Sequence, residues 1–74
     1  MDITNLEIFE SAIIEKISGK GHLRLRILEM GILPGVEVKL VKKAPLGDPL
    51  DIFVRGYELS LRKEEAKLIK VRKL

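Results

Sequence analysis

Leu23–Val38, reading LRLRILEMGILPGVEV, is the stretch on which the rest of the chain depends. Leu23, Ile27 and Met30 recur at i, i+4 and i+7, one face of a helix. Gly31 follows, a residue able to take the positive φ at which helices commonly end. Leu33-Pro34-Gly35-Val36 has the chemistry of a type II turn: Pro34 fixes φ at the second position and Gly35 tolerates the third. Val36, Val38 and Leu40 then alternate with Glu37 and Lys39, so a strand leaves the turn with one apolar face. Leu23-Arg24-Leu25-Arg26-Ile27 also alternates strictly, as a half-buried strand would. The long straight side chains favour helix, because Leu, Arg, Glu and Met lose little rotamer freedom there. The reading is a helix over 23–30, a sharp turn and a strand.

Upstream, Met1–Asn5 reads as a flexible tail, and Leu6, Ile8 and Phe9 as apolar enough to tuck against a sheet. Glu10–Ile17 is rich in β-branched residues and reads as a strand, with its register left open by the adjacent Ile13 and Ile14. Ser18-Gly19-Lys20-Gly21 is a loop without the GxxxxGK[ST] spacing of a phosphate-binding loop. Downstream, Val36–Ala44 is the longest strand, and the break in its alternation at Leu40-Val41 predicts a bulge. Two prolines and a glycine make Pro45–Pro49 a loop. Leu50, Ile52 and Val54 alternate with polar or out-of-phase neighbours, and so do Tyr57, Leu59 and Leu61, which sets Tyr57 in phase with core residues. Arg55-Gly56 between them is a tight hairpin, with Gly56 supplying positive φ. Arg62–Ala66 reads as one helical turn and Leu68–Val71 as a closing strand. The fold class is therefore mainly β: a small SH3-like β-barrel of about five strands with one short α-helix and one helical turn. Closure is a sensible solution at this size, because it leaves few unpaired edges.

The 74 residues make one domain, 1–74, and a core this small contributes little net stability. Without cysteine there are no disulfides and no thiolate metal sites. No apolar run approaches the ~20 residues of a membrane span, and no signal-peptide pattern opens the chain. The formal charge of +3 gives a weak preference for acidic partners or an anionic surface, although spread charges usually mean solvated strand faces.

Catalysis needs a nucleophile with a base, paired carboxylates in a pocket or a cofactor fingerprint, and none is present. No catalytic residue is assigned. Asp48 and Asp51 flank a proline loop and most simply satisfy turn amides. His22 is the single histidine, and one imidazole with scattered acids gives no ferrous-iron constellation, so no metal ligand is assigned either. Nucleic-acid binding by a small basic barrel would rest on an aromatic platform, for which only Phe9, Phe53 and Tyr57 are available. Protein binding has better support. Leu25 and Leu28 lie away from the Leu23/Ile27/Met30 stripe, and Phe53 is out of phase with Leu50, Ile52 and Val54. These three are the candidate partner-contact residues, weighed equally against ordinary packing. Gly31, Pro34, Gly35 and Gly56 are the structural turn residues.

RILEMGILPGVEV resembles the signature of the FeoA family, the small cytosolic component of bacterial ferrous iron transport. The likeness continues through KKAPLGDPLDIFVRGYELSLRKEEAKLIKV and covers roughly residues 10–72. No single motif is specific. The ordered set of Met30-Gly31, Pro34-Gly35, Ala44 to Pro49, Arg55-Gly56, Leu61-Arg62 and Glu64-Glu65-Ala66 carries it. One departure stands out: before the first strand the family often has a glycine, and Phe9 stands there. The resemblance implies a cytoplasmic adaptor without cofactor, acting through contact with FeoB, the membrane iron transporter that carries a GTPase domain, and possible as a homo-oligomer. FeoA-like domains also end metal-dependent repressors, but this chain has no helix-turn-helix segment to read DNA. A stand-alone relative of such a domain and a nucleic-acid-binding barrel are the alternatives.

Overall fold

The computed structural model describes all 74 residues. Strand β1 is Ser11–Ile17, helix α1 Gly21–Glu29, β2 Glu37–Lys43, β3 Leu50–Val54, β4 Tyr57–Leu61, helix α2 Lys63–Ala66 and β5 Ile69–Lys73. The strands form one antiparallel sheet in the order β4-β3-β2-β1-β5, curled as an SH3-like barrel around a core of Ile, Leu, Val and Ala. Alternation places that core. Val38 and Leu40 from β2, Leu50, Ile52 and Val54 from β3, and Ile69 and Val71 from β5 are all buried.

The helical reading of the deciding stretch holds. Leucine at 23, 25 and 28 and arginine at 24 and 26 sustain α1, which ends in a Schellman motif. The Gly31 N–H donates to the Leu28 carbonyl at 3.0 Å and the Ile32 N–H to the Ile27 carbonyl at 3.4 Å, with Gly31 at φ +85°. Ile27 and Ile32, brought together by this motif, are both fully buried and anchor the helix to the sheet. The turn follows as read: Gly35 sits at φ +91° and the Val36 N–H reaches the Leu33 carbonyl at 3.2 Å. The bulge read at Leu40-Val41 appears as a register shift between Leu40 and Lys42 in the β2–β3 pairing.

Several details differ from expectation. The first residues are no loose tail. Asp2 caps a 3-10 turn over Ile3–Asn5 by accepting from the Thr4 N–H at 2.9 Å, and Ile3 is fully buried. The Met1 carbonyl accepts from the Val71 N–H at 2.9 Å, so this segment lies along β5. Tyr57 is 70% exposed although its phase is that of Leu61, because it stands at the hairpin tip, next to the Arg55-Gly56 turn. The hairpin uses two left-handed residues, Arg55 at φ +52° and Gly56 at φ +85°, as a type I′ turn requires.

Candidate surface for partner contact

Leu25, Leu28 and Phe53 separate in the structure. Leu28 is half-buried and packs against the core, the ordinary-packing side of the two readings weighed for it. The physical reason lies in the width of the buried stripe. A short helix lying on a curved sheet covers more than the Leu23/Ile27/Met30 line, and Leu28 follows Ile27 closely enough to be drawn inward. Leu25 points the other way and is 55% exposed. Its flanking arginines are drawn to the sides: the Arg24 Nε donates to the Ile17 carbonyl at 3.3 Å, and Arg26 Nε lies 3.7 Å from the Glu65 carboxylate. Leu25 is thus a bare apolar knob between two cations that have partners of their own.

Glu65 is the buried charged residue of the chain, 3% exposed. Its two carboxylate oxygens divide their work. Oε1 accepts from the Arg62 N–H at 2.9 Å and starts α2, while Oε2 faces Arg26 on α1. Burial of this carboxylate is tolerable because both oxygens have polar partners. The pair links the helix carrying Leu25 to α2, while the Ile27 and Ile32 anchors hold that helix to the sheet.

Phe53 is 46% exposed on the outer face of the sheet, between Lys39 of β2 and Glu58 of β4. It borders an open cleft of about 230 Å³ with Glu37, Val38, Lys39 and Arg55. Acidic and basic side chains share this face. Leu25 borders none of the clefts. The structure therefore offers an apolar knob on α1 and a mixed-charge aromatic face on β3, on separate elements.

Among the other exposed apolar side chains, Leu46 was not singled out from the sequence, and Phe9, read there as tucking against a sheet, is exposed instead. Leu46, 90% exposed, stands in the loop between β2 and β3. A leucine flanked by Pro45 and Gly47 cannot join a ladder, and that signal was available. Phe9, 70% exposed, holds φ +69°, the left-handed region that glycine alone occupies freely. His22 is exposed in the first turn of α1, and no three or more His, Asp or Glu side chains gather where a metal ion could be held.

The FeoA domain model matches residues 1–73. This chain belongs to the FeoA family. A fused Fe(2+) transport protein A/Fe(2+) transporter FeoB of Porphyromonas gingivalis (strain ATCC BAA-308 / W83) is 39% identical over 71 residues, 96% of this chain but only 8% of that protein's length. The FeoA-like protein from Clostridium acetobutylicum has a solution structure that matches all of this chain and 86% of its own at a TM-score of 0.92 and 40% identity. FeoA of Stenotrophomonas maltophilia, solved with zinc and described as a procaryotic SH3 domain protein possibly acting as a ferrous iron transport activating factor, matches at 0.85 and 32% identity, over 97% of this chain and 89% of its own. The FeoA-family fold and its link to ferrous iron transport thus agree with the resemblance read from residues 10–72. In the fused relative the FeoA and FeoB portions share one polypeptide.

Proposed function

We propose that this chain works on the cytoplasmic side of the membrane as a non-catalytic accessory of ferrous iron uptake, docking onto a FeoB-type transporter. The observation that carries the reading is Leu25, an exposed leucine on a helix whose inward face is already complete. An apolar anchor ringed by Arg24 and Arg26 suits a small pocket with an acidic rim, where burial supplies affinity and charge sets orientation. The fusion of a FeoA portion to FeoB in the Porphyromonas relative supports the choice of partner. Phe53 forms a second, peripheral contact in this reading. No helix of the chain is long and apolar enough to cross a membrane, so attachment runs through the partner.

The test is a double measurement on Leu25→Ser. Binding to detergent-solubilised transporter should fall at least tenfold while the thermal midpoint stays within about a degree or two, since exposed substitutions usually change stability by under ~0.5 kcal/mol. Leu28→Ser should lower the midpoint instead, because part of the ~2–5 kcal/mol cost of removing a buried leucine is incurred there. Wild-type binding by Leu25→Ser would remove α1 from the contact surface.

A further inference from the structure

The two outer strands of the sheet are treated differently. Along β5 the N-terminal segment closes the edge, through the Val71 N–H to the Met1 carbonyl and a bridge between Asp2 and Lys70. That strand also carries Lys70, Arg72 and Lys73, charges of the kind that discourage pairing with another chain. At the other end, β4 lies beside β3 alone, and no hydrogen bond outside the β3 ladder involves Tyr57–Leu61. Its sequence YELSL contains no proline and no lysine or arginine, and its pairing with β3 runs through five residues without a bulge. Glu58 is its one charged side chain, and neither a bulge nor a paired segment protects this edge.

The hairpin fixes which groups are free. Val54 and Tyr57 flank a two-residue turn and exchange hydrogen bonds, so the alternation turns the N–H and C=O of Glu58 and Ser60 away from β3. Ser60 also lies at the rim of two open clefts, one beside Arg62 and one beside Lys42, so nothing overhangs the edge there. We propose that β4 is a strand-addition edge at which a second copy of this chain pairs antiparallel, centred on Leu59. The pairing does not use Leu25, although Ser60 and Arg26 line one open cleft, and it does not rest on the transporter reading.

Self-pairing follows from what each register would oppose. With Leu59 facing Leu59 of the second copy, Glu58 lies opposite Ser60 at both ends, and all four outward-facing residues exchange backbone hydrogen bonds. Centring on Glu58 would set two carboxylates face to face, which is unfavourable. Centring on Ser60 would call on the backbone of Arg62, whose N–H already donates to Glu65 and whose carbonyl already accepts from Glu65 and Ala66. The Leu59 register alone satisfies every free group without opposing like charges. Leu59 itself is half-buried, and the second copy would cover it further.

Sedimentation velocity of the full chain from about 10 μM to about 1 mM should show a reversible monomer–dimer equilibrium. A half-labelled sample should give an isotope-filtered Hα–Hα contact between Leu59 of the two copies. Ser60→Glu places a carboxylate opposite Glu58 in both halves and should weaken the dimer at least tenfold. Adding Glu58→Lys to that variant should restore it, which distinguishes loss of pairing from loss of folding. A chain monomeric throughout the range overturns the proposal, as does a dimer indifferent to Ser60→Glu. If β4 amides respond only when solubilised transporter is added, the edge receives another protein and the second-copy assignment is wrong.

Discussion

Phe9 and Gly35 occupy the same left-handed region of backbone space, at φ +69° and +91°, and only one of them is built for it. A side chain there crowds its own backbone at a cost of about 1–2 kcal/mol, more when the residue is β-branched. An added Cβ on Gly35 would meet no neighbouring atom within 4 Å, so any penalty at that position comes from the backbone itself. The two positions therefore make a reciprocal test. Gly35→Val should destabilise by roughly 1–3 kcal/mol, and Phe9→Gly should leave stability unchanged or raise it by up to ~1 kcal/mol. Chemical denaturation of both variants checks this, and an unchanged midpoint in Gly35→Val would remove the turn assignment. Gly35 was legible in the sequence because Pro34 precedes it and a strand follows. Phe9 carried only the hint that a glycine was due, since a bulky residue gives no local sign of a positive φ. For Leu28 the sequence left contact and packing open, because a helical wheel gives directions but not how far the surface beneath the helix curves up to meet them.

At the level of strands, one carboxylate holds the entry of β1 to the exit of β5. Glu10 accepts from the Glu7 N–H at 2.9 Å and lies 3.0 Å from the Lys73 Nζ. The Glu7 amide first, and then the lysine, hold its carboxyl below the ordinary range. A depressed folded-state value means that this stabilisation is present above the unfolded-state pKa and is lost as pH falls through the folded one. Glu10→Gln should therefore be less stable than wild type near neutral pH, with the difference closing in acid. Thermal midpoints of both proteins from about pH 7 to about pH 2 measure it, and a gap that widened on acidification would contradict the assignment. The alternation that identified β2 and β3 worked because their apolar residues all face one core. It could not fix β1, where pairing with β5 shifts between Ile14 and Lys16. A bulge of that kind belongs to a pair of strands, and the partner lies more than fifty residues away along the chain. Tyr57 shows the complementary failure, because phase gives the face of a strand but not where along it the covering layer stops.

Across the whole molecule, three ion pairs form on separate elements, and the acids do not converge on one site. Arg26 faces Glu65, Arg72 lies 3.8 Å from Glu15, and Lys73 faces Glu10. With a single exposed histidine and no gathering of acids, the chain should carry no tight iron site of its own. Anaerobic calorimetric titration with ferrous iron should show no stoichiometric binding. Micromolar one-to-one binding that His22→Ala abolishes would overturn this. The contact between the Met1 carbonyl and the Val71 N–H has a further consequence. It brings residues 1 and 71 to one corner of the barrel, so a polypeptide joined before the first residue or after the last strand departs from the same place. Such a module can be tethered from either side by a short connector without turning it around, and tethering alone raises its local concentration at a nearby target to the millimolar range. A barrel that stands alone and one joined to a larger polypeptide can thus keep the same fold unchanged.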